Sequence, residues 1–307
     1  MKPAAFSYHR AHDVADAVGL LADLEAAGDD PKILAGGQSL MPMMSFRLAR
    51  PGALVDVGPL RRLPAMTALG ADDAGALRIG ALVTHHAVET AVLDPGFAVL
   101  ARAMRWVGHL PIRSRGTVAG SLVHGDATAE WCLLALLLDG LILTEGPAGP
   151  REIPAAEMFH GFYATAVEPE EVVVAIRFTR PAPHAALTEF ARRYGDFAIV
   201  DAAVSLDLHE DEVRSGRVVV GGVAPAPVRV PEAEAVLAAG GVPGRELFGA
   251  VADAAAAAVD PPADAAATAG YRRRLTRHLV ADGLRQAWEQ TGDGARRGTD
   301  REQGVAS

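Results

Sequence analysis

The sequence predicts an α+β protein of two domains, and three observations predict it. Short apolar runs alternate with stretches of helical periodicity over residues 13–178, the prolines Pro181 and Pro183 then break the chain, and three strand-like runs followed by alanine-rich helical segments come after them. The expected domains are 1–179, with subdomains 1–57 and 58–179, and 184–290; the polar stretch 291–307 reads as a disordered tail. With 307 residues, half of them hydrophobic and 22% charged, the chain has ample material for two cores.

The elements follow in order. From Asp13 to Ala27, the residues Val14, Ala17, Val18, Leu21 and Leu24 recur at helical spacing, and Gly28 suits the turn that ends such a helix. Lys32–Leu34 and Ala53–Val57 read as strands on either side of the glycine turn Ala35-Gly36-Gly37-Gln38-Ser39-Leu40. A strand over Leu77–Gly80, a helix capped by Thr84 and a helix over about 97–107 lead to a second glycine-bearing loop, Ile112 to Ser121. Asp126 then suits the N-cap of an apolar helix over about 127–139, and Glu171–Phe178 reads as a strand. In the second domain the strands are expected at 188–194, 199–208 and 218–223, with helices over about 231–290.

Several function classes are disfavoured by composition. A formal charge of −9 repels rather than attracts a phosphate backbone, so nucleic acid is a poor partner. The longest apolar run, Trp131–Leu138, is eight residues, against about 20 needed for a membrane span. The N-terminal stretch never builds the apolar core of a secretory signal, which points to a cytoplasmic protein. Cys132 is the sole cysteine, so the chain offers neither an internal disulfide nor the thiolates of an iron-sulfur cluster or a cysteine-based zinc site; it is most simply a small buried hydrophobe. His85 and His86 are adjacent, not four apart, and no metal site is expected. No Gly-x-Ser-x-Gly elbow or His-Glu-x-x-His is present, so a hydrolase has no visible nucleophile or metal.

The two glycine loops carry the chemical information. A backbone without β-carbons can bring successive N–H groups against an anion such as a pyrophosphate. Ala35 to Leu40 matches neither the Rossmann fingerprint nor a P-loop, and Gly36-Gly37 alone reads equally as a tight turn. Ala-Gly-Gly-Gln-Ser-Leu-Met-Pro at 35–42, followed later by Ile-Arg-Ser-Arg-Gly-Thr-Val-Ala-Gly-Ser-Leu at 112–122, is a more specific combination. With these loops the chain resembles the FAD-binding medium subunit of the molybdenum hydroxylases, the group of xanthine dehydrogenase and aerobic carbon monoxide dehydrogenase. The resemblance extends to Arg193-Tyr194-Gly195-Asp196-Phe197-Ala198 and to Tyr271-Arg272-Arg273-Arg274-Leu275.

That resemblance implies a bipartite FAD-binding domain of the vanillyl-alcohol-oxidase (PCMH) type, followed by a small α+β C-terminal domain with a three-stranded sheet and helices. FAD would lie between the subdomains. Ala35, Gly36, Gly37, Gln38, Ser39 and Leu40 would wrap its diphosphate, and Thr117, Val118, Ala119, Gly120 and Ser121 would face it from the other side. Asp126 and Glu130 match positions where the family keeps an acid near the flavin or a ribose hydroxyl, and Tyr194 matches a position beside the isoalloxazine. An aromatic residue beside a glycine is equally often a core residue at a strand end. Arg113 and Arg115 flank the second loop and more commonly would be solvated, as would the arginines of Tyr271–Arg277.

Two positions depart from the family, Gln38 where it usually has His and Ala119 where it has Gly. Glutamine still donates and accepts but cannot titrate, and alanine fits only at negative φ. The implied activity is electron transfer in a hetero-oligomer, a heterotrimer or its doubled form. A molybdenum-binding large subunit and an iron-sulfur small subunit would hold their own cofactors, and FAD here would pass electrons to an external acceptor. The alternatives are a stand-alone FAD-dependent oxidase or dehydrogenase with its own substrate site, and a non-catalytic flavin-binding or assembly protein.

Overall fold

In the computed structural model, residues 2–210 and 212–303 are described; the tail expected over 291–307 lies outside the residues whose side chains are described. The first subdomain is a three-stranded parallel sheet in the spatial order Ser7–Arg10, Ala53–Asp56, Pro31–Leu34. Its crossover helix, Val14–Ala26, starts where the Asp13 carboxylate accepts the N–H of Asp16, and it buries Ala17 and Leu21. Because the strands are parallel, all three carboxyl ends fall on one edge, where open α/β sheets place their ligands.

The second subdomain is a five-stranded antiparallel sheet in the order Leu69–Ala71, Leu77–Gly80, Val172–Phe178, Gly140–Gly146, Gly149–Pro154. The hairpin formed by its last two strands was not read from the sequence. Against the sheet lies the helix Glu130–Leu137, in which Trp131 through Leu137 are all buried. Its apolarity on every side reflects its place between two layers and not a membrane. Cys132 is among these buried residues. Among the described residues, no helix is long and apolar enough to cross a membrane.

Two helices are shorter than their patterns suggest. The stretch expected over 97–107 is helical at Ala98–Ala103, and the one expected over 127–139 begins only at Glu130. Asp126 explains the second difference. Its Oδ1 accepts both the N–H and the hydroxyl of Thr128, which closes a local turn instead of capping the helix.

The C-terminal domain has the sheet order Ala185–Phe190, Val200–His209, Glu212–Gly221, Val228–Arg229, so a two-residue edge strand joins the three read from the sequence. Helices Pro231–Ala238, Arg245–Ala258 and Ala269–Gln303 follow. Alternation along the sheet divides its faces. Ala186, Val200, Ala202 and Val204 pack with these helices, whereas Leu187, Ala203 and Val219 join the core of the N-terminal domain. The sheet is thus a middle layer, buried on both sides, that separates two cores: one shared with the N-terminal domain and one closed by the C-terminal helices.

Candidate functional site

The first glycine loop leaves the carboxyl end of the strand Pro31–Leu34. Gly37 has φ +73°, a left-handed conformation that glycine adopts without strain, and it turns the chain toward the short helix Leu40–Ser45. Among the described residues, no acceptor takes the N–H groups of Gly36, Gly37, Gln38, Ser39 or Leu40, while the Gln38 amide Nε2 donates to Gly36 O at 3.1 Å. Three of these residues, Gly36, Gly37 and Gln38, border a cleft of about 750 Å³, which Ser39 and Leu40 do not line. Ala35, Gly36, Gly37 and Gln38 line it, together with Tyr8 and Asp56 from the neighbouring strands, Arg61, and Arg115 of the second loop. The Tyr8 hydroxyl donates to Asp56 Oδ2 at 2.5 Å.

The second loop is fastened from behind. Val118 N–H donates to Val83 O at 3.0 Å, His85 N–H to Gly116 O at 3.1 Å, and Thr117 forms an isolated bridge with Thr84. Thr117 Oγ1 accepts the N–H of Gly120 and caps the helix Val118–His124. Val118 and Ala119 are buried, Gly120 is exposed and Ser121 is half-buried. Ala119 is helical and is not among the residues at positive φ, so the missing glycine imposes no backbone strain there.

The loops touch each other. A Cβ on Gly36 would sit 2.3 Å from Arg115 O and 2.9 Å from Gly116 Cα, a separation only a residue without a side chain allows. The glycine is therefore required by the contact between the loops; a side chain there would meet the second loop before it met any ligand.

A second cavity, of about 330 Å³, lies at the seam between the domains. Asp126, Tyr163, Phe197 and Arg272 are among the residues around it. Asp126 Oδ2 accepts the Tyr163 hydroxyl at 3.2 Å, and the Tyr163 ring packs 4.9 Å from that of His124. One turn of chain beyond, burial pushes the Glu130 carboxyl up to about 7, with the nearby negative Asp126 adding to the rise. Tyr194 stands 62% exposed at the same seam; its hydroxyl donates to Arg105 O at 2.9 Å and its ring lies 5.6 Å from His109.

Sequence reasoning placed several cations differently. Arg113 is buried rather than solvated, with Nε on Glu89 at 2.9 Å and Nη1 on Gly108 O at 2.9 Å. Arg115 is exposed and lines the first cleft. Arg272 is also buried: it binds the backbone at Ile199 and at Gly222 O, and pairs with Asp264 at 2.7 Å. Arg273 and Arg277 pair with Asp260 and Asp253. His85 lies behind the second loop, where its Nδ1 accepts Trp131 Nε1–H at 2.9 Å and burial lowers its pKa to about 4. Tyr8, Asp56 and Arg61 went unread as site residues. Their position at the carboxyl edge of a parallel sheet is the signal that could have found them.

Two family models match the chain. The FAD binding domain in molybdopterin dehydrogenase covers residues 4–181, and the CO dehydrogenase flavoprotein C-terminal domain covers 185–287. The 6-hydroxypseudooxynicotine dehydrogenase complex subunit alpha of Paenarthrobacter nicotinovorans is 36% identical over 292 residues, 94% of this chain and 96% of that protein. The nicotine 6-hydroxylase medium subunit of the same organism is 35% identical over 296 residues, 95% of this chain and all of that one. Among solved structures, carbon monoxide dehydrogenase from Hydrogenophaga pseudoflava superposes with a TM-score of 0.85 at 32% identity, over 94% of this chain and 99% of the matched one.

Proposed function

The chain belongs to the FAD-binding medium subunits of the molybdenum hydroxylases, and on that premise we propose that it relays electrons between subunits. A molybdenum-binding large subunit oxidises the substrate, an iron-sulfur small subunit carries the electrons to this chain, and an external acceptor takes them from FAD. The observation that carries the reading is the direct contact of the two glycine loops beside an open cleft, with N–H groups that lack a protein acceptor among the residues lining it.

The residues present fit a dinucleotide diphosphate. The N–H groups of Gly36 to Leu40 supply donors without a protein acceptor, the Ser39 side chain makes no cap hydrogen bond that would occupy it, and Arg61 and Arg115 bring positive charge to the rim. Ala35 and Gln38 shape the near wall. From the second loop Arg115 lines the cleft, and Thr117, Val118, Ala119, Gly120 and Ser121, which do not line it, would approach the diphosphate from that side, held in place by the ties to Val83, Thr84 and His85. Asp126, Glu130 and Tyr194, near the seam between the domains, would border the flavin end. FAD, when bound, supplies the ability to take up and release electrons singly or in pairs. This chain's part is to bind it, fix its orientation and keep its diphosphate against the loops, and Gln38 contributes a hydrogen bond that does not change with pH.

The test is the absorbance spectrum of the purified chain, followed by identification of the released cofactor. Flavin bands and FAD are expected, with reduction only when the partner subunits and their substrate are added. Reduction of the isolated chain by a substrate of its own would favour the stand-alone oxidase or dehydrogenase instead. A colourless chain that takes up no added FAD would defeat the binding reading altogether.

A further inference from the structure

On the face of the C-terminal sheet that packs against the FAD-binding domain, the alternation of apolar residues is interrupted by two acids. Glu189 and Asp201 are directly opposed across the strands Ala185–Phe190 and Val200–His209, so their side chains share that face. Asp201 is fully buried, and neither of its carboxylate oxygens has a hydrogen-bond partner; Glu189 Oε2 is likewise without one. On its other side Asp201 is opposed to Gly221, where a Cβ would lie 2.2 Å from Asp201 Oδ1 and 2.5 Å from Ala127 O. The carboxyl therefore occupies the space a side chain at 221 would fill, under the segment of the FAD-binding domain that leads from Ala127 into Glu130.

The surrounding charges do not neutralise it. Asp126 and Glu130 come from the FAD-binding domain with the thiol of Cys132, and each acid acts to raise the pKa of Asp201. The arginines of the packed elements have other partners: Arg272 is paired with Asp264, Arg217 with Asp139 and Arg180 with Asp207. Arg102 binds Ala185 O and Gln290, and Arg105 lies over the Trp106 ring. A buried carboxylate with neither cation nor donor is so costly that the group stays protonated instead.

We propose that the opposed carboxyls Glu189 and Asp201 form a pH-sensitive pair at the domain seam, neutral acids while the C-terminal sheet is packed on the FAD-binding domain and ionised only at a cost to that packing. Burial drives both pKa values upward, that of Glu189 to about 8, with the negative charge of Glu130 adding to the rise at Glu189 and the charges of Glu189, Glu130 and Asp126 adding to it at Asp201. The folded chain thus binds protons that the unfolded chain has released. Its stability is highest below the ordinary carboxyl range and is lost as pH rises through the folded values.

The experiment is denaturant unfolding of the full chain, with and without FAD, at a series of pH values from about 5 to about 8.5, chosen to bracket the folded values. The expected result is a stability that falls across this range in the wild type, and a shallower fall in Asp201→Asn and Glu189→Gln, so that the variants gain on the wild type at the alkaline end. Acids that only fill space would shift every pH point alike, and parallel profiles would overturn the proposal. If Asp201→Asn does not fold, the half-buried Glu189→Gln carries the same comparison.

Discussion

Two cavities of the molecule are built from different materials. The first cleft gathers the glycine turn after Leu34 and the carboxyl edge of the parallel sheet, and Arg115 of the second loop reaches it because Gly36 has no side chain to hold that loop away. The second is bordered by side chains brought from distant parts of the chain, including Asp126, Tyr163, Phe197 and Arg272. Backbone amides present a fixed partial positive charge that does not titrate, which suits a permanently charged diphosphate. Carboxyls and aromatic rings at a seam respond to pH and to the docking of the domains. One region is made to hold and the other to adjust.

The sharpest way to break this comparison is Gly36→Val. The added side chain must part the two loops, because its Cβ would fall inside the contact radius of Arg115 O. FAD retention is expected to drop more than about tenfold, a loss of the size that overpacking of about 1–3 kcal/mol produces, with far-ultraviolet circular dichroism unchanged. Gly37→Ala is the milder companion. It forces alanine to φ +73° at a cost of about 1–2 kcal/mol without pushing on the second loop. If the two variants lose FAD equally, contact between the loops is not what forms the cleft.

In the second region the largest effect is expected from Arg272→Met. The change leaves Ile199 O and Gly222 O without their donor and Asp264 without its ion pair. Asp264 is half-exposed and water can replace its partner, but the carbonyl groups are tied to a buried guanidinium. A loss of about 2–3 kcal/mol is expected, read as a lower midpoint in denaturant, with FAD retention changed far less than in Gly36→Val.

How much of each region was legible in the sequence follows from the same difference in material. The first cleft could be read because both its loops are local: a strand, two glycines and a helix start lie in consecutive residues, and the same holds around Thr117. Tyr8, Asp56 and Arg61 escaped because they join the site only through the pairing of parallel strands separated by long stretches of chain. At the seam, Asp126, Glu130 and Tyr194 were named through the family pattern alone. The opposition of Glu189 to Asp201 depends on strand register, and the burial of Arg272 depends on a carbonyl 73 residues away. Arg113 and Arg272 look like surface residues in any local window, and only tertiary packing makes them interior ones. The fold was legible at the level of elements, since periodicity is local. The hairpin Gly140–Gly146 with Gly149–Pro154 was missed because the buried run before it and the glycines within it hide its alternation.

The pH response separates the regions in sign. His85, which supports the second loop from behind, has its pKa lowered to about 4, so its folded form binds protons less readily than its unfolded form. Its contribution to stability is present above the ordinary histidine range and is lost as pH falls through about 6.5 toward 4. The carboxyls at the seam act in the opposite direction, losing stability as pH rises. His85→Gln should therefore flatten the acid limb of the stability profile while leaving the alkaline limb in place. An acid limb unchanged in that variant would assign acid sensitivity to other groups and remove the contrast.

The smallest effect is expected at Tyr194, where the comparison can be refined rather than broken. Its ring is largely exposed and its hydroxyl is fixed to Arg105 O, so one hydrogen bond ties the C-terminal domain to the FAD-binding domain at this point. Tyr194→Phe keeps the ring, its contact with His109 and any stacking role, and removes only that bond. Loss of an exposed hydrogen bond of this kind costs about 0.5–1.5 kcal/mol. If the tyrosine serves the seam, the substitution lowers the unfolding midpoint slightly and leaves the flavin spectrum alone. If its ring borders the flavin, Tyr194→Ala perturbs the visible band while Tyr194→Phe does not. The pair of variants thus distinguishes a side chain that fastens the domains from one that shields the cofactor, and measuring both spectra at one pH keeps the response of the neighbouring carboxyls out of the comparison.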